Sequence, residues 1–599
     1  MNTANLTKGI WSVGGVAAIL LALAGLVALP PASETIAGKN EDTTEVIRSP
    51  FGIGSCYTNN RSAEDNARWI PQMTAIGLRS YRGPNAGWEA VEPEPGKWTW
   101  DVLDKQLKYL EDQGLAFGGT LAGNPKWSRG KDGFGLPVNN IDGWKKYVTE
   151  VVKHCKGRIK YWEVWNEPPN FTAKDQTAVD YAKIVIAAYD AAKAVDPDCK
   201  IGIAAKSVAI NYLDQAIAAG AKGHFDYITL HPYEVAGCTI KHPGTEPVYL
   251  HIKRTLRKML AARDPDKVNC PVIFTELGHA AGGQYGARLP GFSDPAVQGH
   301  AVVKYYAMGI AQGIDCIQWF EGRDGDSGPM GLLDAKGKPR PAYTAMAQMI
   351  HYFGQHPKYL GWLLLNDKHY GFVFAGAKGN VLATWASSLK PDTIDFGQAV
   401  RIVDPLTGKV TEAATYDLTI APILVDGVPE KLVQQAKANK DKPFAWGGDY
   451  TNAKSVSVTF GEKNVEKGLH TQSAETIAKD VIAYGGSARS GGVPGGNVFM
   501  VDPNFLSYTS MPIEISIVVR RNEANDNAGF KLVYESTSGY KDLGWYTVPD
   551  NKQWHTVKWK ITDAQFVGMW GYNFLLNSDG NKYNKYYIQS VTVTKLDEK

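Results

Sequence analysis

Charge of one sign is what this 599-residue chain lacks: 64 basic residues stand against 61 acidic ones, for a formal net charge of +3. No basic tract is concentrated anywhere, which argues against nucleic acid as the main partner. Cysteine is scarce. Cys56, Cys155, Cys199, Cys238, Cys270 and Cys316 are too widely spread for a disulfide-framework domain or a zinc knuckle, and no metal is expected on them. Cys155 and Cys199 each precede a strand-like run, which leaves either a disulfide between them or two free buried thiols. Long apolar runs are confined to the N-terminus. After Lys8 no charge appears until Glu34, and Val13 to Leu29 is almost wholly apolar. With Pro30-Pro31-Ala32-Ser33 following, residues 1–33 read as a signal peptide cut after Ser33, or as an uncleaved anchor that tethers the protein through residues 10–31. Either reading exports the remainder as a secreted, periplasmic or surface-anchored protein.

What is present is a large globular protein. Hydrophobic residues make up 44% and charged residues 21%, enough apolar mass for folded cores. The length suggests about two to four domains. The 17 Trp and 29 Tyr suit sugar binding, where flat rings stack on pyranose faces, although aromatic rings also fill cores.

From residue 45 to 355, short strand-like runs alternate with amphipathic helices. The runs are Phe51–Ser55, Gly77–Tyr81, Ala116–Leu121, Ile159–Trp165, Ile201–Ala205, Tyr227–His231, Val272–Glu276 and Cys316–Phe320, with helical patterns such as Trp144–Cys155, Ala178–Val195 and Ala296–Gln312 between them. The pattern predicts a (β/α)8 barrel, whose functional groups sit at the C-terminal ends of the strands. Residues 356–430 change to a strand-and-turn rhythm and predict a small β-sandwich; residues 431–454 read as a linker rich in Lys, Gln and Ala. Residues 455–599 predict a β jelly roll, with Trp545, Tyr546, Trp554, Trp559, Trp570 and Tyr572 crowding its second half. Most of these rings are expected in its core, one or two on a sugar-binding platform.

Two strand ends carry the chemistry. Tyr161-Trp162-Glu163-Val164-Trp165-Asn166-Glu167-Pro168 is a buried strand that Pro168 stops, leaving Glu167 at its end. Pro271-Val272-Ile273-Phe274-Thr275-Glu276-Leu277-Gly278 repeats the logic with Glu276. A carboxylic acid and a carboxylate converging across a barrel mouth are what glycosidic bond cleavage needs. Glu167 would need a raised pKa to deliver a proton, and Glu276 must stay charged to attack. Asn166 is expected at a substrate hydroxyl. Arg79 is expected beneath Glu276, Tyr233 as a donor to Glu276, and His231 on the pocket wall. Trp319 would floor the sugar subsite, Trp127 and Trp88 would form walls, and Asn124 is a further polar pocket candidate. The Gly-rich loop after His279, with Tyr285 and Arg288, would shape the cleft. Glu321, Arg323, Asp324 and Asp326 would either meet a charged substrate or form a solvated loop.

Arg79, Asn166-Glu167-Pro168, His231-Pro232-Tyr233, Thr275-Glu276-Leu277-Gly278 and Trp319 together resemble the retaining (β/α)8 glycoside hydrolases of clan A, most of all the family 39-like and family 5-like enzymes. The resemblance implies Glu167 as acid/base and Glu276 as nucleophile in a double displacement on a β-linked polysaccharide or oligosaccharide, with no cofactor. Tyr484-Gly485-Gly486 and the closing Tyr587-Ile588 strand are similar to carbohydrate-binding-module-like jelly rolls. A transglycosylase on the same scaffold, or a binding protein on a decayed barrel, are the alternatives.

Overall fold

The computed structural model describes residues 44–55, 68–83, 86–129, 135–282, 295–325, 327–365, 369–444, 446, 448–461, 463–471, 477–478, 488–492, 497–522, 527–580 and 582–597. The N-terminal segment, Cys56, Tyr285, Arg288, Asp326 and Tyr484-Gly485-Gly486 lie outside them. Among the described residues no helix is long and apolar enough to cross a membrane.

Eight parallel strands close a barrel in chain order: β1 (Phe51–Ser55), β2 (Ser80–Arg82), β3 (Ala116–Leu121), β4 (Tyr161–Val164), β5 (Lys200–Lys206), β6 (Tyr227–His231), β7 (Val272–Leu277) and β8 (Cys316–Phe320). Phe51 pairs with Ile317 to seal the ring. Helices form where the apolar spacing and the caps agree. Helix Ala178–Val195 starts on a capping box in which Thr177 and Asp180 satisfy each other's backbone N–H groups. Helix Ile141–His154 starts on the Asn140 side chain, which accepts from the Gly143 N–H. The floor of the barrel is a separate plug of Val46, Ala116, Tyr161, Tyr227, Ile273 and Cys316. Cys155 and Cys199 are both buried free thiols, so the disulfide alternative is not realised.

After helix Pro341–Phe353 come β9 (Lys358–Leu365), β10 (His369–Ala375), β11 (Asn380–Ala386), β12 (Asp392–Val403), β13 (Val410–Leu418) and β14 (Ile423–Asp426), a six-stranded antiparallel sheet. Strand alternation gives it two apolar faces. Phe372, Phe374 and Trp385 join the barrel core, while Val373, Leu382 and Val425 face the opposite side. There the expected linker differs from expectation: Glu430–Asn439 is a helix whose Leu432, Val433 and Ala436 cover that second face. The apolar side of the sheet had to be covered, and the helical propensity of this segment supplied the cover.

The C-terminal region is a two-sheet unit, one sheet of seven strands and one of five, closed on a core that includes Ile515, Ile517, Phe530, Leu532 and Ile588. It docks on the barrel. Asn211 donates to the Ser536 carbonyl at 2.7 Å, and Tyr508 donates to Asp214 at 2.7 Å.

Candidate active site

Strand β4 is buried throughout, yet it carries Glu163, which is 2% exposed. A carboxylate inside a barrel requires a cation. Arg82, closing β2, meets it twice: Nε to Oε2 at 2.9 Å and Nη2 to Oε1 at 3.2 Å. The same guanidinium donates through Nη1 to Glu276 Oε1, and through Nη2 to Asn166 Oδ1 at 2.8 Å. Arg82 therefore fills the role expected of Arg79. Arg79 sits at the opposite end of β2, where its Nη1 donates to the carbonyls of Thr74 and Leu78. The expected strand ran too early along the chain, which put the wrong arginine at the functional end.

The chain past β4 turns sharply. Trp165 and Glu167 hold positive φ values of 68° and 47°, a costly region for non-glycine residues that clusters at functional sites. The Trp165 N–H donates to the Leu121 carbonyl at 2.7 Å, and the Lys206 N–H to the Pro168 carbonyl at 3.0 Å. This turn aims Glu167 at β6 and β7. His231 Nδ1 lies 2.9 Å from Glu167 Oε1 and 3.6 Å from Glu276 Oε2, and its Nε2 lies 2.9 Å from Thr275 Oγ1. Tyr233 donates its hydroxyl to Glu276 Oε2 at 3.0 Å. Oxygens of Glu167 and Glu276 lie within 4.8 Å of each other and of a His231 nitrogen. These three groups have the composition of a metal site, but the Arg82 guanidinium already lies against Glu276.

Electrostatics divide the labour. Burial pushes the Glu167 carboxyl up, but the His231 hydrogen bond and charge, with Asn170 and Lys206, carry it below its ordinary value. Burial disfavours the His231 imidazolium, yet Glu276, Glu167 and Glu163 raise its pKa above the usual imidazole value. Both shifts favour the Glu167 carboxylate and the His231 imidazolium, so the expected raised pKa of Glu167 alone is replaced by a coupled pair. Burial, then Glu276, raise the Tyr233 phenol well above its usual range, so it remains a donor.

An open cavity of about 690 Å³ surrounds this pair, lined among others by Glu167, Glu276, Phe171, Lys206, Lys241 and Phe320. Several expected wall residues are elsewhere. Trp319 is fully buried, donates to the Met330 carbonyl at 3.3 Å and packs against Tyr305; side chains alternate along β8, so its neighbour Phe320 reaches the cavity instead. Trp127 meets Trp88 edge-on and donates to the Glu92 carbonyl at 3.1 Å, and Trp88 is buried. Asn124 is buried against the Gly135 carbonyl. Beyond β8, Asp324 is doubly bonded to Arg340, Arg323 to the Ala335 carbonyl, and Glu321 accepts from Gly325, so these charges hold their own loop together. Glu163 and Arg82 were the residues missed. A glutamate inside an aromatic strand was the available signal, since it demands a buried cation at a strand end.

The closed eight-stranded barrel thus carries one glutamate just past the end of β4 and one on β7, braced by Arg82, His231 and Tyr233. Residues 63–206 match the profile of glycosyl hydrolase family 10. The chain is 30% identical over 125 residues to endo-1,4-beta-xylanase A of Phanerodontia chrysosporium, covering 19% of this chain and 30% of that protein. It is 23% identical over 238 residues to endo-1,4-beta-xylanase A of Xylanibacter ruminicola, covering 37% of this chain and 60% of that protein. The chain thus spans less than two thirds of the length of these relatives. Its fold is similar to that of a family 39 glycoside hydrolase from the gut symbiont Bacteroides cellulosilyticus WH2, with a TM-score of 0.51 at 18% identity over 64% of this chain and 81% of that one.

Proposed function

We propose that this protein is a retaining β-glycosidase acting on a polysaccharide or oligosaccharide by double displacement. The observation that carries the reading is the separation of Glu167 and Glu276, whose oxygens lie within 4.8 Å. Retaining enzymes hold the two carboxyl groups roughly 5–5.5 Å apart, whereas inverting ones leave roughly 6.5–9.5 Å for a water. Glu276, oriented by Arg82 and Tyr233, attacks the anomeric carbon. Glu167 protonates the leaving oxygen with a proton that His231 returns to it across their 2.9 Å contact. Glu167, again a carboxylate, then activates water to release the sugar with its configuration retained.

The names of the curated relatives make β-1,4-xylan the first substrate to test. The experiment is proton NMR of a digest, with a Glu276→Gln control. The β-anomer appearing first supports the reading, while the α-anomer appearing first overturns retention. Transglycosylation on the same residues is favoured by Phe171, an aromatic ring 41% exposed in the cleft, where an acceptor sugar can stack. It is read in the same digest as products longer than the substrate.

The jelly roll carries an open groove of about 610 Å³ with Trp545, Tyr583, Lys531, Asp542 and Asn577 along it. Trp545 is 43% exposed and, with Phe171, one of two such exposed aromatic rings among the described residues. A flat apolar ring beside donors and acceptors fits a sugar, and this groove is our candidate for the polysaccharide-holding face. The N-terminal apolar segment is taken as the export signal; mass spectrometry of the mature N-terminus tests it.

A further inference from the structure

The jelly roll touches the barrel at the catalytic end of β5. There Ser207, with a strained φ of 48°, donates its hydroxyl to the Met569 carbonyl at 2.5 Å. The adjacent Lys206 places its ammonium 5.2 Å from the ring centre of Trp570. Lys206 also lines the active-site cavity, and its backbone N–H holds Pro168, the residue after Glu167. The loop that carries Met569 and Trp570 is fixed from behind. Buried Glu535 accepts from the N–H groups of Val567 (2.9 Å), Gly568 (2.9 Å) and Met569 (2.7 Å), and from the Asn573 amide (2.8 Å). These four bonds fix the loop in the shape that meets Ser207 and Lys206.

Resting on the glycosidase reading, we propose that the jelly roll completes the leaving-group side of the cleft. Trp570 is a positioning residue: its indole face clamps the Lys206 ammonium beside Glu167, where Lys206 binds the sugar that departs. The side is set by chemistry. Lys206 lines the cavity together with Glu167 and its backbone N–H holds the next residue, Pro168; Glu167 addresses the leaving oxygen, so a ligand at Lys206 lies on the departing half of the substrate. An ammonium held against an indole face has fewer positions open to it, and a donor fixed beside an open cavity suits sugar hydroxyls.

The test compares xylotetraose, whose leaving group is a sugar, with 4-nitrophenyl β-xyloside, whose leaving group is not. Lys206→Met and Trp570→Ala should each lower kcat/KM for the tetraose about tenfold, mainly through KM, and change the aryl substrate less than about twofold. Trp570→Phe, which keeps a ring face, should recover most of the loss. An equal loss on both substrates, or no loss on the tetraose, overturns the proposal. A second arm needs no sugar. NMR titration of glutamate-labelled protein should show the Glu167 midpoint raised in both variants, because Lys206→Met removes a nearby positive charge that favours the carboxylate and Trp570→Ala releases that charge from its place. A midpoint that moves in Lys206→Met but not in Trp570→Ala would mean that the indole does not hold the lysine. A parent protein inert toward both sugars counts against the glycosidase reading, while the titration still decides the clamp.

Discussion

Arg82 binds three partners at once, so its loss has consequences that a surface arginine would not. Replacing it with Met leaves Glu163 buried and uncompensated, which should lower stability by about 3–5 kcal/mol in urea denaturation. Arg79→Ala, at the far end of the same strand, should leave kcat/KM unchanged. Glu167 gives a different signature. Glu167→Gln should lower kcat/KM roughly 10²–10⁴-fold on xylan-type leaving groups but little on a dinitrophenyl glycoside, which departs without protonation, while kcat falls on both because Glu167 also activates the water of the second step. The His231 partnership sets the pH dependence. The acid proton is retained until pH rises through the His231 pKa, which lies above the ordinary imidazole value, so the basic limb of kcat/KM belongs to the pair. In His231→Gln the proton rests on Glu167 alone, and the basic limb should move to lower pH in a pH–rate profile.

At the scale of elements, the sequence was legible where period and punctuation coincided. β3, β6 and β8 have the predicted ends because apolar runs there are bounded by turn or helix signals. β2 is only three residues long, too short to show alternation, and so Arg79 was read where Arg82 stands. The face a side chain takes was the harder question. Trp319 and Phe320 are adjacent aromatic residues, and only barrel closure decides which one meets Tyr305 and which one meets the cavity. That difference is measurable. Phe320→Ala should raise KM with stability little changed, whereas Trp319→Ala should cost about 3–5 kcal/mol in denaturation experiments as a core truncation.

For the whole molecule, the changes of rhythm along the chain were legible, but the docking of its parts was not. Ser207, Asn211 and Gln215 hold the jelly roll through its backbone carbonyls, and such contacts carry no sequence pattern. Glu535 shows what that docking demands. Burial pushes its carboxyl up to about 7, even though four N–H donors favour the charged form. The unfolded chain releases the same proton near the ordinary glutamate value of about 4.3. Between those two pH values the folded state holds a proton that the unfolded state has lost, so stability falls as pH rises, by at most about 1.4 kcal/mol per unit. Below the window the contribution is fully present, and above about pH 7 it is gone. Urea denaturation followed through jelly-roll tryptophan fluorescence should therefore give a lower midpoint at pH 8 than at pH 5. Glu535→Gln, which has no such proton to lose, should flatten that difference. It should also loosen the loop, because one amide N–H₂ must then face backbone donors that the carboxylate accepted. A midpoint that rises from pH 5 to pH 8 in the parent, or a difference unchanged in the variant, would remove Glu535 as the pH-sensitive anchor of the loop that reaches the catalytic cleft.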